Sequence, residues 1–146
     1  MTVRRRTFFL TAAAAAPVAA LAGATLAQTA PKTAIGGYDT VSYFTVGKPQ
    51  PGDPNIAHTW DGRRYLFASE QHRQLFVSNP DKYAPQFAGS CAAGLASGHK
   101  VEADPNNWLI SDGRLYLFFA GSNGPDKMRA DPTMAARAEA AWKKSN

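Results

Sequence analysis

The chain has 146 residues, 45% hydrophobic and 18% charged, which is one ordinary domain and too few residues for two well-packed ones. Its single cysteine excludes an internal disulfide framework and any zinc site built from cysteine pairs. The formal net charge of +5 points first to a polyanionic partner, but Arg4, Arg5 and Arg6 lie in a segment that reads as a removable leader. Without those three arginines the charge falls to +2, and the remaining Lys and Arg form no basic stripe, which argues against nucleic-acid binding.

Residues 1–27 read as an export signal. Arg4–Arg6 supply a positive start, residues 8–26 are uncharged and alanine-heavy, and Thr25-Leu26-Ala27 offers small residues at both positions that a signal peptidase reads. The run Arg5-Arg6-Thr7-Phe8-Phe9-Leu10 resembles a twin-arginine translocation signal. The alternatives are an ordinary secretory signal or an uncleaved anchor, although Pro17 and Gly23 interrupt the apolar stretch. The expectation is a periplasmic or secreted protein, with no membrane attachment once the signal is cleaved. In an oxidising compartment a lone Cys91 must be buried, ligated or modified.

Residues 28–37 form a polar lead-in to a single domain over residues 38–146. Aromatic and β-branched content rises from Tyr38 to Phe44, and a Pro/Gly-rich loop follows at 47–54. Asp61-Gly62-Arg63-Arg64-Tyr65-Leu66-Phe67 then recurs as Asp112-Gly113-Arg114-Leu115-Tyr116-Leu117-Phe118. Asp-Gly between β-rich runs predicts two similar hairpins, here expected to join one antiparallel sheet. The turn fixes the register, so His58 should oppose Tyr65, Trp60 oppose Arg63, and Ile56 oppose Phe67. The second hairpin should turn Trp108, Ile110, Leu115, Leu117 and Phe119 to the core. Ser69 predicts the N-cap of a helix over about 70–78, with His72, Leu75 and Phe76 on one face, ended at Asn79-Pro80. A second helix is predicted over about 90–97, with Cys91 and Leu95 on one face and a stop at Gly98. Asp131-Pro132 opens the last, with Met134, Ala138, Ala141 and Trp142 inward. The fold class is α+β: a small antiparallel sheet built from two Asp-Gly hairpins, with three short helices packed on it.

Gly62, Tyr65, Phe67, Ser69, Phe76, Pro80 and Tyr83 follow the pattern G-x-x-Y-x-F-x-S, then F-x-x-x-P-x-x-Y, and in this the segment from Trp60 to Tyr83 resembles the YHS domain. The resemblance extends to residues 37–44, which look like the opening of exported YHS-domain proteins. It also extends to residues 83–92, Asp104-Pro105, Trp108 and residues 113–117, which look like their second half. It implies metal binding, a property presumed for that family largely because many members carry C-S-x-x-C after the Tyr-x-Phe strand. This chain reads Ala68-Ser69-Glu70-Gln71-His72 there, so the paired-thiol form cannot operate, whereas a His/Cys variant can.

The soft-ligand inventory is Cys91, His58, His72 and His99, with three methionines. Cys91 at a helix start, where free N–H groups favour thiolate, His72 beside inward Phe76, and His58 beside Tyr65 are the candidate metal ligands, a His₂Cys set suited to copper or to zinc with an open position. His99 joins them only if the chain folds back. Asp39 and Glu70 could add hard ligands, but exposed carboxylates beside helix starts are usually caps or solvated charge. Against the metal stand blander readings: Cys91 as a buried small hydrophobe, His72 as a cap-adjacent residue, and His58 with Tyr65 as a satisfied half-buried pair. No catalytic signature is present: Cys91 with His72 lacks an orienting third group, and Gly36-Gly37 lacks the context of a phosphate loop. The expectation is a non-catalytic copper or zinc carrier or sensor, exchanging metal with a donor or acceptor or docking a periplasmic protein. The alternatives are a metal-free protein-interaction module and a redox-active single-thiol protein.

Overall fold

The computed structural model describes residues 29–146, so residues 1–27, where an export signal is expected, lie outside the described residues. The class is mixed α+β. In chain order the elements are β1 (Lys32–Thr33), α1 (Ser42–Thr45), β2 (Asp53–Trp60), β3 (Arg63–Phe67), α2 (Glu70–Ser78), α3 (Pro80–Tyr83), α4 (Ala92–Ala96), β4 (Asp104–Ser111), β5 (Arg114–Phe118), α5 (Gly124–Ala130) and α6 (Met134–Lys144). Tight turns occupy Ala34–Gly37 and Gln86–Gly89.

Both hairpins form where the sequence predicts them. Asp61 and Gly62 have φ of +46° and +69°, and Asp112 and Gly113 have +50° and +72°. Successive positive φ at the two turn residues matches strand twist, which is why Asp-Gly is selected. The hairpins do not join one sheet. β1 pairs parallel to β3, giving the order β1-β3-β2, and β4-β5 stands apart as a two-stranded sheet. The register holds at His58–Tyr65 and Trp60–Arg63, but Phe67 pairs with Asp53 rather than Ile56 because β2 bulges between Asp53 and Ala57. β4 bulges at the matching place, between Asp104 and Trp108. In both, the aspartate side chain turns back onto the chain, Asp53 Oδ1 accepting from Asn55 N at 2.8 Å and Asp104 Oδ1 from Asn106 N at 2.9 Å.

Most of β3 and β5 is buried, with side chains of each strand entering the core. Tyr65 and Phe67 meet Phe76, Tyr83 and Val41 in one cluster. Leu115 and Leu117 pack on Tyr43, whereas Tyr116 and Phe118 enter a further cluster with Cys91, Leu95, Met134 and Ala138. Phe119 departs from its expected core position: it is 55% exposed, because the strand ends at Phe118. α2 spans the predicted residues, whereas α6 begins at Met134, two residues past Pro132, with Thr133 rather than Asp131 at its N-cap. Ser69 accepts from His72 N, and Met134 and Ala138 are buried, with Ala141 and Trp142 packed against them.

The echo between the hairpins extends through a larger unit of 51–52 residues. Tyr38 N donates to Ile35 O and Ser90 N to Phe87 O; Asp39 N donates to Gln50 O and Cys91 N to Val101 O; Gly52 N donates to Gly37 O and Ala103 N to Gly89 O. Each half begins with a left-handed turn, at Ile35-Gly36-Gly37 and Phe87-Ala88-Gly89. A β-branched residue at φ +39° is strained, and Ile35 is held there by close packing: a Cβ on Gly89 would come within 2.8 Å of Ile35 Cγ2.

Candidate functional site

Asp39 is fully buried just before α1, and its carboxylate is the hub of the first half. Oδ1 accepts from Val41 N at 2.8 Å, and Oδ2 accepts from Ala68 N at 2.8 Å. His72 Nδ1 lies 2.6 Å from the same Oδ2, with the imidazole largely covered. Ser69 capping places His72 in the first turn of α2, and that turn aims the ring at Asp39. On its other side His72 Nε2 lies 3.1 Å from the hydroxyl of exposed Thr45.

Carboxylate, imidazole and hydroxyl thus stand in the order of a nucleophile with its base and orienting acid. The orienting group absent from the sequence reading is Asp39, 33 residues away from His72, a separation that no local motif reveals. Thr45 does not sit as a free nucleophile, however. Its hydroxyl also lies 3.2 Å from the carbonyl of Val41 one turn earlier, and the four principal clefts are lined by other residues.

The structure does not bring Cys91, His72 and His58 together. Cys91 is 2% exposed and belongs to the cluster of Phe118, Leu95 and Ala92, separate from the cluster around Phe76. It is the N-cap of α4 rather than a first-turn residue, and its sulfur accepts from Gly94 N at 3.3 Å and Phe119 N at 3.2 Å. His58 packs its ring 6.2 Å from Phe76 on the aromatic face of the first hairpin. Both ring nitrogens of His72 have protein partners. Among the described residues no group of three His, Cys, Asp or Glu side chains is arranged to hold a metal ion. Glu70 pairs with Arg73 on the surface of α2, which holds its carboxyl below the usual range.

The same internal correspondence explains Cys91. Asp39 and Cys91 follow the two left-handed turns at equivalent positions, and each side chain accepts the N–H of the residue that follows the inner hairpin strand. What differs is the third partner, since the Asp39 carboxylate takes His72 whereas the Cys91 sulfur lies among apolar side chains. Compared with known proteins, the chain matches no family model, no curated protein and no solved structure.

Proposed function

We propose that the chain is a small exported module, resembling the YHS domain, that binds its partner without catalysis and without a metal ion shared by Cys91, His72 and His58. The observation that carries this reading is that the Cys91 sulfur already accepts two backbone N–H groups in an apolar cluster, doing for the second half of the fold what Asp39 does for the first. A thiol used as an acceptor in the core is unsuited to carrying metal or exchanging disulfides, because both need it reachable. Binding then falls to the surface. The test is to purify the protein from periplasm and measure its metal content beside a Cys91→Ala variant. Near-zero copper and zinc in both is expected; stoichiometric metal that Cys91→Ala abolishes would overturn the reading.

One observation favours a second reading, a copper or zinc carrier centred on His72. A carboxylate behind one ring nitrogen is the arrangement that orients metal-binding imidazoles, and Asp39 supplies it. Nε2 faces Thr45 at the surface, so a metal ligated there would displace that hydroxyl. Metal retained in Cys91→Ala and lost in His72→Ala would favour this reading over the first.

A further inference from the structure

A half-open cavity of about 180 Å³ lies between the first hairpin turn, the segment after α3 and the C-terminal helix α6. Four aromatic residues contribute to its wall: Trp60, Tyr65, Phe87 and Trp142. Two carboxylates, Asp61 and Asp81, complete its charged lining, and no lysine or arginine belongs to it. In this it differs from three other clefts of the described surface, each of which includes an arginine: Arg63, Arg129 or Arg114. The internal repeat sharpens the contrast. Asp112 and Tyr116, the counterparts of Asp61 and Tyr65, also line a cleft, but Ser111 stands there in place of Trp60, and Arg129 is present. Trp60 and a lining free of lysine and arginine therefore have no counterpart in the second-half cleft.

We propose that this cavity binds a small organic cation bearing a quaternary or multiply methylated ammonium group. Such a group is bulky, weakly hydrated and without N–H donors, so it is recognised by aromatic faces with nearby negative charge rather than by a ring of hydrogen bonds. The volume suits a trimethylammonium head and not a drug-sized molecule, whose pockets run to roughly 300–1,000 Å³. The Trp142 ring of this wall already engages one cation of the protein itself, Lys100 Nζ lying 4.5 Å from its centroid. Lys82, next to Asp81, is placed over Tyr83 at 5.0 Å. Burial raises the Tyr65 hydroxyl to about 12, with Arg63 opposing and Asp61 adding to the rise, so Tyr65 remains a neutral wall. Asp61 sits in the hairpin turn at φ +46°, next in sequence to Trp60, and both line the cavity.

This names a ligand class for the binding module proposed above and rests on that reading. The test is calorimetric titration of the purified protein with choline chloride, with tetramethylammonium chloride, and with 3,3-dimethylbutan-1-ol, the uncharged shape-mimic of choline. Saturable binding of both cations is expected, with the alcohol at least about tenfold weaker. Asp61→Asn should weaken choline severalfold and leave the alcohol unchanged, and Trp60→Phe should keep most of the affinity that Trp60→Ala loses. No saturable binding of either cation, or equal binding of choline and the alcohol, would overturn the proposal, and neither result depends on a variant that folds. Metal content measured on the same preparation separates the two failures. A metal-free protein that ignores choline loses the cleft but not the module, whereas Cys91-dependent metal removes the module reading.

Discussion

Asp39 and Cys91 hold the same place in the two halves of the fold. Asp39 accepts the N–H of Ala68 at 2.8 Å and Cys91 that of Phe119 at 3.2 Å, each the first residue beyond its inner hairpin strand. A carboxylate and a thiol share one mechanical task because both present an acceptor on a short side chain. The surroundings decide which is tolerated: the buried Asp39 carboxyl has His72 Nδ1 as a further polar partner, and Cys91, in an apolar cluster, needs none.

The first prediction concerns that thiol. Cys91→Ala leaves the N–H groups of Gly94 and Phe119 without their acceptor and opens a small void, so a loss of about 1–3 kcal/mol is expected in urea unfolding. Cys91→Ser keeps an acceptor and should cost less than Cys91→Ala. In the native protein Cys91 should resist a thiol reagent and react once urea exposes it. Rapid native labelling, or equal stability of the three proteins, would refute the anchoring role.

Asp39 and His72 should prove energetically coupled. Asp39→Ala removes the acceptor of two backbone N–H groups and the partner of a largely covered imidazole, for an expected cost of about 3–5 kcal/mol. His72→Ala should cost less, since the carboxylate keeps both N–H donors. A double-mutant cycle is expected to give a coupling of about 1–3 kcal/mol. Additive losses would mean that the 2.6 Å contact contributes nothing beyond its neighbours.

Alkaline pH should destabilise the protein through its buried tyrosines. Burial raises Tyr65 from its ordinary value to about 12, and Tyr43 rises further for the same first cause, with the charges of Tyr38, Asp104 and Asp39 adding to it. Between pH 10 and 12 the unfolded chain loses the Tyr65 proton while the folded chain keeps it. The unfolded state then binds fewer protons, and stability falls as pH rises. The stability present below pH 10 should decline by up to about 1.4 kcal/mol per pH unit for each tyrosine. Urea midpoints between pH 8 and 11.5 measure this, and Tyr65→Phe should flatten the slope. An unchanged slope in Tyr65→Phe would assign the decline elsewhere.

What the sequence made legible was local. Asp-Gly turns, the Ser69 cap and the stripe of Met134, Ala138, Ala141 and Trp142 are each written within one or two turns of chain, and each forms as read. The Asp39–His72 contact joins residues 33 apart through packing, so no spacing rule announces it. The bulges have a local signal of their own. Asp-Pro-Asn opens β2 and β4 alike, and an aspartate that binds the amide two residues on displaces the pairing by more than one place. The left-handed turns carry Ile35, Phe87 and Ala88 where glycine would be expected, so the backbone there is set by tertiary contact rather than by residue preference.

Phe119 and Leu117 give the last prediction, because alternation along β5 puts them on one face and the structure does not. Strict period-two reading assumes that the strand continues, but it ends at Phe118, and the next N–H turns to the Cys91 sulfur instead of a strand partner. Leu117 is 1% exposed against Tyr43, whereas Phe119 is 55% exposed. Leu117→Ala should therefore cost about 2–5 kcal/mol by loss of packing and an unfilled cavity. Phe119→Ser should shift stability by no more than about 0.5 kcal/mol, since its backbone N–H survives the substitution. Thermal or urea unfolding of the two variants decides it. A cost for Phe119→Ser approaching that of Leu117→Ala would place the ring in a core and restore the uninterrupted strand.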